Sequence, residues 1–341
     1  MSEFFFSYGL FIAKIITGLI ALVFAVAIIG GSRKKEDGPM LKVTNLNDKY
    51  NDLKTTVQHS LMNKKEYKAL LKSEAKNSKK EKKSTKVVKA KPKLFVLDFE
   101  GDIHASGVET MRDEITALLS VAEPHDEVLM RLENAGGAVH EHGLASSQLQ
   151  RITDAKLNFT MSVDRIAASG GYMMACVANK IVAAPFAIVG SIGVVAQLPN
   201  FHRLLDRVGV DWEQHTAGEY KRTVTMFGEN GEKEREKLRV ELQETHVLFR
   251  DFVAEHRPKL DVDKVSTGEH WYGKQALDLN LVDELITSDE YIVNSLDQFD
   301  IYEISMEIKQ GLQDKLLGGL FSGLSKVKSS LASSENNSKY Q

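Results

Sequence analysis

The stretch Ala167-Ala168-Ser169-Gly170-Gly171-Tyr172-Met173-Met174-Ala175 sets one serine among residues too small to shield it. The run before it, Leu157 to Val163, holds β-branched and aromatic residues and predicts a strand. Gly171 to Val177 predicts a helix. Ser169 then stands where a strand gives way to a helix, beside unpaired backbone N–H groups and the positive end of a helix dipole. Two readings follow. Ser169 is a helix N-cap surrounded by small packing residues. Or its Oγ attacks a carbonyl while the Gly170 N–H meets the oxyanion, with glycine leaving the backbone open to approach. The stretch by itself leaves both open.

The surrounding pattern limits the fold. Leu94 to Phe99 predicts a strand that ends at Gly101, and Val108 to Leu119 an amphipathic helix. Glu127 to Leu132 predicts a strand that runs into Glu133-Asn134-Ala135-Gly136-Gly137. A helix follows over Gly143 to Ile152. Short strands are expected at Lys180 to Ala184 and Ala187 to Val189, then a turn at Gly190-Ser191-Ile192-Gly193. Phe201 to Val208 reads as a helix, Val210 to His215 as a strand and Glu232 to His256 as a long charged helix. Helical pieces over Val262 to Ser266 and Gly273 to Leu279 follow. Strands alternating with helices predict an α/β domain with a largely parallel sheet.

The chain is long enough for one large domain with appendages, or for two domains. Its single cysteine, Cys176, excludes an intrachain disulfide and a thiolate metal cluster, and reads as a small core residue. Charge divides the chain. Arg33 to Lys93 holds nineteen Lys or Arg against seven Asp or Glu, a net of +12, whereas residues 94–300 carry about −16. Upstream, Leu10 to Gly31 is apolar apart from Lys14 and Thr17, and Ile15 to Ile29 is uncharged. That run suits a transmembrane helix of about 20 residues. It lacks the early positive charge and A-x-A site of a cleaved signal peptide. Residues 1–32 are therefore expected to be a membrane anchor and 33–93 a lysine-rich linker. Within the linker an exposed or partner-paired helix (Leu46, Tyr50, Leu53, Val57) frays into solvent over Ser73 to Lys93. With arginine and aromatics nearly absent there, anionic lipid is the expected contact rather than nucleic acid. Residues 94–300 form the globular domain and 301–341 an amphipathic tail. Leu316, Leu317, Leu320, Phe321 and Leu324 of that tail suit a membrane surface or a neighbouring subunit.

A serine hydroxyl needs a base. None of the ten histidines has a diagnostic setting, and Ala167 breaks the Gly-x-Ser-x-Gly elbow. His140-Glu141-His142 lacks the spacing of a zinc motif and reads as surface or helix-start residues. Lys221, in Gly218-Glu219-Tyr220-Lys221-Arg222, is the other option. A lysine ordinarily keeps its proton to about pH 10.4, so a base at neutral pH needs about 4 kcal/mol of desolvation and local charge. An ordinary surface lysine is the competing reading.

Three ordered motifs, Ala-Ser-Gly-Gly-Tyr, Gly-Ser-Ile-Gly-Val and Gly-Glu-Tyr-Lys-Arg, together resemble the signal peptide peptidase A family of Ser-Lys proteases across Leu94 to about Ser288. The anchor, basic linker and single protease unit resemble its SohB branch. The resemblance implies a ClpP/crotonase-like α/β fold, Ser169 as nucleophile and Lys221 as general base. It implies Ser191 as the group that orients the lysine, and Gly136 or Gly137 with Gly170 as oxyanion donors. No metal or other cofactor is implied. The family loop usually reads Ser-Pro-Gly-Gly; here it is Asn134-Ala135-Gly136-Gly137, which gives up the proline's fixed φ but keeps both glycines. The resemblance further implies a homo-oligomer, with serine and lysine possible from different units, and peptide or membrane-protein substrates. It places the protein in a bacterial inner membrane with a periplasmic peptidase domain. Arg33-Lys34-Lys35 after the apolar run points to the cytoplasm instead. Two other functions fit parts of the pattern: a crotonase-type acyl-CoA enzyme, which would not need Ser169 and Lys221 together, and a non-catalytic membrane scaffold.

Overall fold

The computed structural model describes residues 2–31, 40–63, 65–68, 72 and 91–307. Arg33-Lys34-Lys35, residues 73–90 of the linker and residues 308–341 of the tail lie outside the described residues. The chain divides into two compact units, residues 1–42 with 306–341, and Val43–Ser305.

In the first unit, α1 (Ser2–Gly31) forms where the apolar run predicts a helix. The expected transmembrane span is not supported. Among the described residues no helix is long and apolar enough to cross a membrane.

The second unit is built on one sheet. In chain order, β1 (Met40–Asn45), α2 (Leu46–Leu61), β2 (Lys93–Gly101), α3 (Val108–Leu119) and β3 (Glu127–Asn134) come first. Then follow α4 (Val139–Asp154), β4 (Asn158–Val163), β5 (Ile166–Ala168), α5 (Gly170–Ala175), β6 (Lys180–Ala183) and β7 (Ile188–Gly190). The remainder is α6 (His202–Val208), α7 (Glu232–His256), α8 (Val262–Val265), β8 (His270–Tyr272), α9 (Gly273–Asp278), β9 (Glu284–Leu285), α10 (Ser288–Ser295) and β10 (Asp300–Glu307). The strand order is β1-β10-β2-β3-β4-β6-β9. From β10 to β9 every pairing on this path is parallel, as the strand–helix alternation predicts.

Parallel strands are covered on both faces, so their sequences run nearly continuously apolar. In β2 the odd positions Phe95, Leu97 and Phe99 enter the larger core with Met111 and Ile115 of α3 and Leu149 of α4. The even positions Leu94 and Val96 join Leu129, Ile292 and Leu46 on the other face. Residues 46–50 are therefore not part of a free linker. Leu46 is 1% exposed, and Asn47 accepts the Ile301 N–H at 2.7 Å and donates to Phe299 O at 3.1 Å. The sheet also reaches past residue 300, through β10 to Glu307. Val210 to His215, expected as a strand, pairs with none. Trp212 packs instead against Phe227, which stacks on Phe201, and Val210 is exposed.

The sheet forks at the carboxyl end of β3. β3 pairs with β4 from Glu127 to Arg131, and then, at Asn134, with Ala167 of β5. β5 continues the branch in parallel to β7, which pairs antiparallel with β8. Two loops meet at this fork, one after Asn134 and one after Ala168.

Candidate active site

Ser169 occupies the corner between β5 and α5 with φ 53° and ψ −120°. For a residue with a Cβ this backbone costs about 1–3 kcal/mol and persists only where its surroundings hold it. Here they do. The Ser169 N–H donates to Gly190 O at 2.7 Å, and its carbonyl accepts the Met173 N–H at 3.0 Å. The Ser169 side chain makes no cap bond to α5, so the N-cap role is not what holds it there. Ser191 shares the positive φ, 53°, and its N–H donates to Glu269 O at 2.7 Å.

The loop after β3 lies directly against this corner. Gly136 has φ +90°, and a Cβ there would stand 2.6 Å from Ser169 Cβ and 2.9 Å from Gly170 N. A Cβ on Gly137 would stand 2.0 Å from Ile103 O. Neither position admits a side chain. The Gly136 N–H donates to Asn134 Oδ1 at 2.6 Å and is thereby engaged. Gly137 is then the loop residue left to offer a donor, opposite Gly170 at the first position of α5, where no intrahelical acceptor exists. Gly136, Gly137, Ser169 and Ser191 line one cleft of about 800 Å³, closed on the far side by Arg239, Leu242, Gln243 and His246 of α7. Beneath Ser169, Tyr172 donates to Leu281 O at 2.9 Å. Burial pushes the Cys176 thiol well above its ordinary value, which leaves it a core residue and not a nucleophile. Among the described residues no group of three or more His, Cys, Asp or Glu is arranged to hold a metal ion.

A cleft of this form, with a half-buried serine at a strand–helix corner and a glycine loop, is what acyl transfer requires. Residues 151–300 match the model of peptidase family S49, and residues 3–149 that of the S49 N-terminal region. The chain belongs to peptidase family S49. It is 45% identical over 319 residues to the probable protease SohB of Haemophilus influenzae, covering 90% of each chain. It is 46% identical over 303 residues to the probable protease SohB of Buchnera aphidicola subsp. Schlechtendalia chinensis, covering 86% of this chain and 99% of that one. These matches bear out the resemblance to SohB-type S49 peptidases drawn from the motifs. Among solved structures, a K138A mutant of the 1510-N membrane-bound stomatin-specific protease, in complex with a substrate peptide, aligns at a TM-score of 0.41. That alignment has 14% identity and covers 68% of this chain and 98% of that one. A similarity this low carries nothing for the fold, which rests on the topology above.

Of the residues expected at the site, the structure brings Ser169, Ser191, Gly136 and Gly137 into one cleft, with Gly170 adjoining Gly136. Lys221 is not brought there. It is exposed, in the segment between α6 and α7, and is not among the residues lining the cleft. Its N–H donates to Gly218 O at 3.2 Å. Its neighbours are fastened to α7: Glu219 pairs with Lys233 at 2.7 Å, and the Lys237 ammonium lies 5.5 Å from the Tyr220 ring centroid.

Two features escaped the sequence reading. The cleft wall on α7 is one of them. Arg239, Leu242, Gln243 and His246 recur at helical spacing on one face, a pattern legible in sequence but masked by the helix's charge. The His246 Nε2 is buried without a partner. His142 is the other. Of its two expected readings, surface or helix start, the second holds: it stands in the first turn of α4, which begins at Val139, but it is 0% exposed. Its ring joins Asn134 and Ala138, and only the loop geometry reveals it.

Proposed function

We propose that the chain is a serine endopeptidase with Ser169 as nucleophile and Lys221 as general base, on a ClpP/crotonase-like domain. The observation that carries this reading is the strained Ser169 corner facing the glycine loop in a single cleft. In the reaction, neutral Lys221 takes the Ser169 proton as Oγ bonds to the peptide carbonyl carbon. The carbonyl oxygen becomes the oxyanion and accepts from the Gly137 and Gly170 N–H groups. Losing one such donor costs roughly 3–4 kcal/mol of barrier. Lys221 then gives the proton to the leaving amine as the C–N bond breaks. A water, deprotonated by Lys221, attacks the acyl ester and frees Ser169. Ser191 orients the lysine amine.

An exposed lysine amine stays protonated at neutral pH and must be covered to act as a base. The exposure of Lys221, outside the cleft lining, supports a homo-oligomer in which the lysine of one copy serves the serine of another. The uncharged run Ile15 to Ile29 supports an anchor in a bacterial inner membrane, with the peptidase domain on the periplasmic side. Its substrates would then be signal-peptide remnants or envelope proteins.

The test is hydrolysis of casein or a fluorogenic peptide by the detergent-purified full chain. Wild type is expected to cleave, and Ser169→Ala and Lys221→Ala to be inert while folded and equally oligomeric. Mixing and re-assembling the two inert variants is expected to restore part of the activity, because some sites regain both groups. Full activity in Lys221→Ala would remove it as the base. Inert mixtures would place both groups in one chain.

A further inference from the structure

We infer that Asn134 and His142 act together as the positioning pair of the oxyanion loop, doing by hydrogen bonds what a proline in the loop would do covalently. The inference rests on Ser169 as the nucleophile. Asn134 is the last residue of β3 and is 1% exposed. Its Oδ1 accepts the Gly136 N–H at 2.6 Å, a contact that defines which end of the amide faces the loop. The same Oδ1 lies 3.0 Å from His142 Nε2, and His142 Nδ1 lies 3.0 Å from Ala138 O. Both ring nitrogens thus face oxygens on either side of the Gly136-Gly137 pair.

His142 also touches the other half of the site. A Cβ on Gly170 would stand 2.4 Å from His142 Cγ, so the ring packs directly against the Gly170 backbone. One buried side chain therefore sets the distance between the two donors, Gly137 on the loop and Gly170 on α5. Its own helix supports it, since Ser146 Oγ donates to His142 O at 2.8 Å.

Stability alone does not account for this pair. The Asn134 Nδ2 is buried without a partner, which is a cost of the placement. A side chain kept for packing would not need an amide there. The position needs an oxygen that the Gly136 N–H and the His142 ring can share.

The experiment compares kcat and KM for a fluorogenic peptide in the detergent-purified full chain. The variants are Asn134→Ala, His142→Leu, His142→Gln and the double variant Asn134→Ala/His142→Leu. With folding and oligomeric state matched to wild type, the first two are expected to lower kcat about 10–100-fold with KM within about twofold. His142→Gln, which keeps one donor, is expected to recover about tenfold over His142→Leu. The double variant is expected to be no slower than the slower single, since both remove one device. A kcat within about twofold of wild type in folded Asn134→Ala and His142→Leu would overturn the inference. So would a loss carried in KM alone. Should His142→Leu fail to fold, Asn134→Ala decides by itself. Ser169→Ala separates the two levels: if it is inert while the pair's variants keep full kcat, only this inference falls. If Ser169→Ala cleaves at the wild-type rate, the nucleophile assignment falls first.

Discussion

The Ser169 corner and the Lys221 segment carry the two halves of one proposed dyad, yet they are built in opposite ways. At the corner, backbone N–H groups are held by defined acceptors: Ser169 N–H by Gly190 O, Ser191 N–H by Glu269 O, Gly136 N–H by Asn134 Oδ1. Its glycines sit against atoms that leave no room for a methyl group. The Lys221 segment is exposed, and its fastenings are surface pairs such as Glu219–Lys233, both more than half exposed. Exposed pairs of this kind contribute little, because water screens the charges and holding two long side chains in one geometry costs entropy. The proposed nucleophile is thus part of the sheet's framework, whereas the proposed base rides on a segment that the fold of one chain leaves open. A strained serine needs a rigid frame; a lysine that must be covered to work can wait for its cover.

Alanine at matched glycines breaks this comparison most directly. Gly136 and Gly218 both have positive φ, +90° and +99°. Gly136→Ala adds a clash with Ser169 to the backbone cost, and a loss of about 3 kcal/mol is expected with peptidase activity abolished. Gly218→Ala meets nothing closer than Lys221 Cβ at 3.9 Å, so only the backbone cost of about 1 kcal/mol is expected. Urea denaturation of both variants checks the difference; equal losses would show that the two loops are equally constrained.

Amide hydrogen exchange sharpens the same contrast without mutation. The Ser169 and Ser191 N–H groups, bonded to strand-end carbonyls, are expected to exchange orders of magnitude more slowly than Lys221 N–H. Protection at Lys221 that appears only in the assembled oligomer would be the signature of a neighbouring copy covering it.

The smallest expected effect is on acid stability. Burial alone would raise the Asp283 carboxyl, but hydrogen bonds from Arg257 and the Ile181 N–H outweigh it and hold the group below its ordinary value. Arg257 Nη2 lies 2.8 Å from Asp283 Oδ1 and ties the end of α7 to the segment before β9, while the Ile181 N–H donates to Asp283 Oδ2 at 2.7 Å and ties β6 to the same carboxylate. A depressed carboxylate adds stability that is complete above its unfolded value, near pH 3.9, and is lost as pH falls through the folded value. Wild-type stability is expected to fall below about pH 4, and Asp283→Asn to flatten that fall. Glu219→Gln, on the exposed segment, is expected to leave it unchanged.

Much of the framework was legible in the sequence because its physics is local. Leu94 to Phe99 reads as a strand by composition, and the small residues around Ser169 marked a strand–helix corner. What escaped was long-range. Leu46, Tyr50, Leu53 and Val57 read as one face of an exposed or partner-paired helix, but nothing in that spacing says that Leu46 covers the even face of β2. Val210 to His215 has strand composition, but no sheet edge reaches it and Trp212 finds Phe227 instead. Asn134 and His142 are eight residues apart and carry no motif; the turn between them makes them partners.

The amino-acid sequence by itself determined the class of the fold and the family, and it marked the serine, the lysine and the glycines proposed for the site, because apolar periodicity, residue size and local backbone freedom are properties of neighbours in the chain. Only the tertiary structure decided that β3 forks, that the Gly136 N–H is engaged by Asn134 and that α7 walls the cleft. It also decided that Ser169 enters the cleft lining while Lys221 does not. Those outcomes depend on which surfaces remain to be buried once the sheet has formed, and burial is settled by the whole chain at once.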